Sequence, residues 1–149
     1  VYEYRIVGTP KVIDGDTLDV VLDLGFKIQT WERCRLAGID APESRTTNLK
    51  EKQYGIAAKQ FVEDWLKCQP KLWARTTKDD KYGRMLVEIY SDSSSVSLNS
   101  LMINEGYAWG YAGETKVKDF TLLDRVRTES LAHQNQQGKG KASTHTQQS

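Results

Sequence analysis

Rough apolar–polar alternation at the start of the chain and short apolar stretches up to about Ile39 give way, from Gln53, to apolar spacings of three and four, the signature of strands followed by a helix. Tyr2–Val7 alternates and stops at Gly8-Thr9-Pro10, which predicts a first strand. Lys11–Leu24 holds two apolar stretches, Val12-Ile13 and Leu18–Leu24, with Asp14-Gly15-Asp16 between them, so a tight turn or bulge is expected there. Gly25 opens another turn, and Phe26–Ile39 continues the sheet up to Asp40-Ala41-Pro42. Proline lacks a ladder donor and pushes its predecessor extended, so the strand ends at that point. Glu43–Lys52 is polar and reads as an exposed loop.

From Gln53 onward Ile56, Ala57, Phe61, Val62, Trp65 and Leu66 recur at helical spacing, predicting an amphipathic helix that ends near Gln69-Pro70. Leu72–Thr76 and Met85–Tyr90 make a predicted hairpin around the charged turn Lys78–Gly83, and Ser91–Ser95 is a loop. Leu98, Leu101 and Met102 ahead of Glu105-Gly106 predict a short helix with a glycine stop. A last helix is expected over about 118–135, with Phe120, Leu123, Val126 and Leu131 facing inward. Residues 136–149 carry no large apolar side chain and are expected to be a disordered polar tail behind a single domain of residues 1–135. Strands first and helices late predict an α+β protein: a five-stranded β-barrel of the nucleic-acid-binding type with about three α-helices packed on it.

The 149 residues suffice for one hydrophobic core. A formal net charge of +1 rules out a polycation, so any nucleic-acid affinity must come from a local basic cluster. The two cysteines, Cys34 and Cys68, make neither a metal spacing nor a disulfide framework and read as packed free thiols. No apolar run approaches a membrane span and no signal-peptide pattern opens the chain. It begins at Val1, so removal of a leader stays open, and with it the choice between secretion and the cytoplasm.

The charged residues carry the chemistry. His133 and His145 are the only histidines and both are near the C-terminus, which removes Ser-His-Asp and Cys-His routes. Asp14 and Asp16 lie two apart, so on an extended segment both project to one face; Asp40 ends a later strand and Glu43 follows Pro42. Two neighbouring strands would bring Asp16 and Asp40 together. Two carboxylates with a main-chain carbonyl and waters suit calcium or another hard divalent ion, not zinc. Asp-Gly-Asp alone is more often a solvated turn, and Asp19 is expected to face solvent.

Arg33 and Arg35 bracket Cys34 and share a face; either could clamp a phosphate with its planar fork, and parity does not choose between them. Arg84 leaves a turn after Tyr82-Gly83, where it can be aimed at a transition state. Lys78, Lys81 and Arg84, with Lys50 and Lys52, could form the basic rim. Tyr82, Tyr107, Trp109 and Tyr111 offer faces for base stacking, with core packing the competing role for Tyr107 and Trp109.

Together Ile13–Thr17, Arg35-Leu36 with Asp40-Ala41-Pro42-Glu43, Asp80–Arg84, Tyr54-Gly55 and Leu101–Ala108 resemble the staphylococcal nuclease (thermonuclease) family over roughly Val12 to Tyr111. The resemblance implies an OB-fold barrel and a calcium-dependent nuclease acting on DNA and RNA and leaving 3′-phosphate ends. It implies that Asp16, Asp40 and the Ala41 carbonyl hold the ion, that Arg35 and Arg84 contact the phosphate and that Glu43 handles the water. Lys81, Tyr82 and Tyr111 would line the nucleotide pocket. The family's type member has threonine at the Ala41 position, a change that a carbonyl ligand survives. The Tyr107–Tyr111 segment admits more than one register. A monomer with no membrane partner is expected. The competing reading is a catalytically inactive barrel that only binds nucleic acid or a protein, but such barrels lose carboxylates or arginines that are present here.

Overall fold

A computed structural model of the protein describes residues 2–79, 83–111 and 118–133. Eight strands and three helices follow in order: β1 (Tyr2–Ile6), β2 (Lys11–Asp14), β3 (Thr17–Gly25), β4 (Ile28–Leu36), β5 (Ile39–Asp40), α1 (Leu49–Lys67), β6 (Leu72–Asp79), β7 (Met85–Ser91), α2 (Leu98–Asn104), β8 (Trp109–Gly110) and α3, which covers residues 120–133. The large sheet runs β1-β6-β7-β4-β3-β2, and β1 also pairs with β3. That last pairing closes five strands into a barrel and leaves β2 as an extension of β3. Among the described residues only β4 and β7 run parallel; the other pairings are antiparallel. This is the α+β OB-type barrel with three helices that the strand and helix pattern predicts.

Alternation decides what fills it. Leu18, Val20 and Leu22 of β3, Cys34 and Leu36 of β4, Ala74 of β6 and Val87 and Ile89 of β7 are all buried inside. The β3–β4 hairpin turns on Phe26 and Lys27, both at positive φ (54° and 64°), the backbone a two-residue turn needs to match strand twist. α2 caps the barrel with Leu98 and Met102, and its Asn99 side-chain amide donates to the carbonyls of Ala37 and Val87. Burial pushes the Cys34 thiol up to about 12, so it behaves as a small core hydrophobe.

Several expectations need correction. α1 begins at Leu49, inside the segment expected to be loop, because the Asn48 side chain caps it by accepting the Glu51 N–H at 3.2 Å. Its buried face is Glu51, Gly55, Ala58, Val62 and Leu66, while Ile56 is exposed and Phe61 and Trp65 are half-buried at the flank. The helix is turned toward its small residues because they let it lie close against the barrel. Cys68 is exposed rather than packed, sitting at the C-cap of α1. On α3, Leu123 is buried but Leu131 is exposed. The expected tail at 136–149 lies outside the described residues.

Candidate active site

The β2–β3 turn places the first carboxylate. A bulge between Val12 and Asp14 and the turn at Gly15-Asp16 break the extended geometry, so Asp14 and Asp16 do not share a face as expected. Asp14 instead accepts from the Ser44 amide at 3.2 Å and from the Ser44 hydroxyl. Gly15 is boxed in: a Cβ there would lie 2.8 Å from the Ala58 Cβ and 3.0 Å from the Ala41 Cβ, so α1 and the Asp40-Ala41 segment both press on the turn. Asp16 Oδ1 accepts from the Thr17 hydroxyl at 3.0 Å, Asp16 Oδ2 accepts from the Ala41 N–H at 3.0 Å, and the Asp16 carbonyl accepts from the Leu36 N–H at 2.8 Å.

Asp40 arrives from a different element than expected. It lies in β5, which pairs with β8 (Asp40 opposite Trp109) and not with the strands beside Asp16. The Ala41–Asp16 hydrogen bond joins the two. Arg35, opposite Thr17 across β3–β4, points at both carboxylates: its Nη2 is 3.2 Å from Asp40 Oδ1 and 3.6 Å from Asp16 Oδ2. The same nitrogen lies 3.4 Å from the Ile39 carbonyl, and the guanidinium sits 5.6 Å from the centre of the Tyr111 ring. Tyr111 is half-buried and held there by its N–H, which donates to the Gly38 carbonyl at 2.8 Å.

Burial makes this cluster demand cations. Asp16 is 6% exposed and Asp40 4%. Burial is the largest influence on Asp16 and raises its carboxyl above the usual range; the Ala41 N–H and Arg35 act against it, and the Asp40 charge adds to it. Among these contacts, one guanidinium faces two carboxylates. Their oxygens suit a hard divalent ion, with Asp16, Asp40 and the adjacent Ala41 carbonyl as donors and waters for the remainder. Among the described residues no three His, Cys, Asp or Glu side chains converge as a ready metal set, so two carboxylates are what the side chains offer.

Glu43 projects to solvent while its backbone is fixed. Ser44 is tied to Asp14, and α1 abuts the Glu43 peptide so closely that a Cβ on Gly55 would lie 2.2 Å from the Glu43 carbonyl oxygen. Arg84 is half-buried at the entry to β7, after Gly83 at φ 79°, and Leu86 two residues on lies opposite Arg35. Lys81 and Tyr82 lie outside the described residues. Arg33 takes no part: its Nε and Nη2 bond Asp19 at 2.7 and 3.0 Å. Asp19 is therefore not a solvated residue as expected but 8% exposed, and the Arg33 hydrogen bonds hold its carboxyl below the usual range. The tertiary contacts add two positioning residues that sequence reasoning gave no role: Ser44 and Gly55. Both fix the Glu43 backbone; Gly55 belongs to the Tyr54-Gly55 segment of the resemblance, and nothing in the spacing marks Ser44.

Known proteins resemble this chain in sequence. The profile of the family described as "Staphylococcal nuclease homologue" matches residues 33–138. The chain is 38% identical over 125 residues to the thermonuclease of Staphylococcus intermedius, covering 83% of this chain and 70% of that protein. It is 32% identical over 121 residues to the micrococcal nuclease of Shigella flexneri, covering 76% of this chain and 63% of the relative. It is 32% identical over 126 residues to the endonuclease YncB of Bacillus subtilis strain 168, covering 80% and 56% respectively. The chain thus spans between half and three quarters of the length of these relatives. With a closed OB-type barrel, Asp16, Asp40 and Arg35 gathered at one end and a family profile over most of the sequence, the chain belongs to the staphylococcal nuclease family.

Proposed function

We propose that the protein is a calcium-dependent nuclease that hydrolyses phosphodiester bonds of DNA and RNA and leaves 3′-phosphate ends. The observation that carries the reading is the convergence of buried Asp16 and Asp40 on one arginine, Arg35. Paired buried carboxylates are poor design for stability alone and suit a site that takes positive charge. Asp16, Asp40 and the Ala41 carbonyl would hold the calcium ion. When bound, it would supply Lewis-acid neutralisation of a non-bridging phosphate oxygen.

The chain's own residues then divide the work. Glu43, fixed in backbone and open to solvent, takes or orients the proton of the attacking water. Arg35 and Arg84 stabilise the charge that builds on the pentacoordinate phosphorus. Tyr111 supports the Arg35 guanidinium and, with Lys81 and Tyr82, lines the nucleotide pocket. The inactive binding barrel is disfavoured because Asp16, Asp40, Arg35, Glu43 and Arg84 are all retained.

Glu43→Gln keeps size and hydrogen-bonding capacity and removes the proton acceptor. Single-turnover cleavage of a short single-stranded oligonucleotide with calcium should fall at least about a hundredfold, with binding held within roughly tenfold. Excess chelator should stop the wild type, and end-group analysis should find 3′-phosphates. Undiminished cleavage in chelator would refute the calcium reading, and tight binding without any cleavage would establish the inactive barrel.

A further inference from the structure

Glu51 and Lys118 lie outside the machinery just described, yet they are built into its surroundings. Glu51, in the first turn of α1, is 5% exposed, and a buried carboxylate is costly unless it meets a cation. The Lys118 Nζ lies 2.5 Å from its Oε1. The next residue, Asp119, is fixed as well. The Trp109 indole N–H donates to the Asp119 carbonyl at 2.9 Å, and Trp109 is the strand partner of Asp40. The lysine is thereby fastened to the helix that abuts Glu43 and to the strand that faces Asp40.

A brace between α1 and the segment leading into α3 would need no exposed lysine. Here the lysine side chain remains 40% exposed. Its amino group carries three donors, and Glu51 engages one of its faces. Glu51 and, more weakly, Glu43 and Asp40 raise its proton affinity, which sets the ammonium within the field of the carboxylate cluster and keeps it charged. Glu51 and Gly55 sit four residues apart on one face of α1, about one helical turn or ~5.4 Å along the axis. Gly55 marks the Glu43 peptide, so Glu51 stands one turn beyond it. A protein of formal net charge +1 must grip a polyanion through individually placed cations, and this one is placed.

We propose that Lys118, oriented by Glu51, is a phosphate subsite that binds a phosphodiester of the nucleic-acid strand next to the one held at Asp16, Asp40 and Arg35. The proposal rests on the nuclease reading and extends it from a single phosphodiester to a polynucleotide.

The test is fluorescence anisotropy of a labelled single-stranded octadeoxynucleotide with calcium, titrated with salt, in a Glu43→Gln background that slows cutting. Lys118→Gln should weaken binding about five- to tenfold at low salt and lower the slope of log affinity against log salt by about 0.7, one phosphate contact on a single strand. Lys118→Arg should restore the slope. Glu51→Gln should keep it, because the ammonium remains. Because Lys118→Gln strands a buried carboxylate, the doubly neutral variant Glu51→Gln/Lys118→Gln serves as the folding control; it should show the Lys118→Gln slope together with a wild-type melting profile. A wild-type slope in both Lys118→Gln proteins would overturn the subsite. So would an equal loss of slope in Glu51→Gln, which would make the pair a brace. Slope reports binding without turnover: a chain that bound with the predicted slopes and cut nothing, even with Glu43 intact, would overturn the nuclease reading and leave the subsite standing.

Discussion

Asp16→Asn should make the calcium-free protein more stable while removing a ligand of the proposed calcium site. Asp16 is 6% exposed, burial is the largest influence on its carboxyl, and Asp40 repels it. The amide occupies the same volume without the charge. Its losses are bounded by its contacts: the carboxylate accepts from both the Thr17 hydroxyl and the Ala41 N–H, while asparagine has one carbonyl oxygen, so one hydrogen bond of about 1 kcal/mol goes. Arg35 gives up its 3.6 Å contact but keeps the 3.2 Å contact with Asp40. Against this stands the penalty of a buried ion, several kcal/mol before partners offset it, for roughly 1 kcal/mol of net stabilisation. For a chain of 149 residues that is about 2–4 °C in melting temperature.

The pH dependence has a fixed sign. The folded carboxyl of Asp16 is raised, so between its unfolded and folded pKa the native state holds the extra proton. Wild-type stability from this group is therefore greatest at acid pH and is lost as pH rises through the folded value. The advantage of Asp16→Asn should be full at neutral pH and vanish on acidification. Calcium should reverse the order, since saturation at a hundred times the dissociation constant adds about 2.7 kcal/mol to the wild type alone. Thermal melts of both proteins across pH, in chelator and in calcium, read all three effects. A less stable Asp16→Asn protein in chelator at neutral pH, or a gap that widens on acidification, would refute the reasoning.

Gly55→Ala should cut cleavage about a hundredfold, because a methyl 2.2 Å from the Glu43 oxygen forces that peptide to shift by an amount on the order of 1 Å. The same overpacking should cost about 1–3 kcal/mol in denaturant melts, and wild-type activity would show that the Glu43 position tolerates movement. Arg35→Lys should lower turnover by orders of magnitude, while Arg33→Lys, already committed to Asp19, should cleave as wild type does; kinetics with the opposite ranking would overturn the choice of Arg35 as the phosphate contact. An aromatic disulfide reagent at mildly alkaline pH should label one thiol per native chain, exposed Cys68, and the second, Cys34 with its pKa of about 12, only after unfolding. Fast labelling of both in the native state would contradict the packed barrel interior.

Strand parity was legible at the end of β4, where Cys34 and Leu36 are buried and Arg33 and Arg35 take the other face, because a barrel strand keeps one face inside. The glycine stop of α2 and the β6–β7 hairpin were legible for the same reason, being local chemistry acting on neighbouring residues. The start of α1 was not. Its first turn is polar, and the burial of Glu51 depends on Lys118, sixty-seven positions away in the chain. Asp19 misled for a related reason, since its partner Arg33 lies across a strand pair and makes a buried carboxylate possible.

The candidate site divides along the same line. The sequence by itself determined which side chains are present, their order and the family they belong to, because motif identity is a property of short segments. Only the tertiary structure committed Arg33 to Asp19, separated Asp14 from Asp16, delivered Asp40 from a strand paired to Trp109 and pressed Gly55 against the Glu43 peptide. Each of those decisions is a long-range contact between elements whose local patterns permit several partners. Packing density and the need to pair every buried charge leave one arrangement standing.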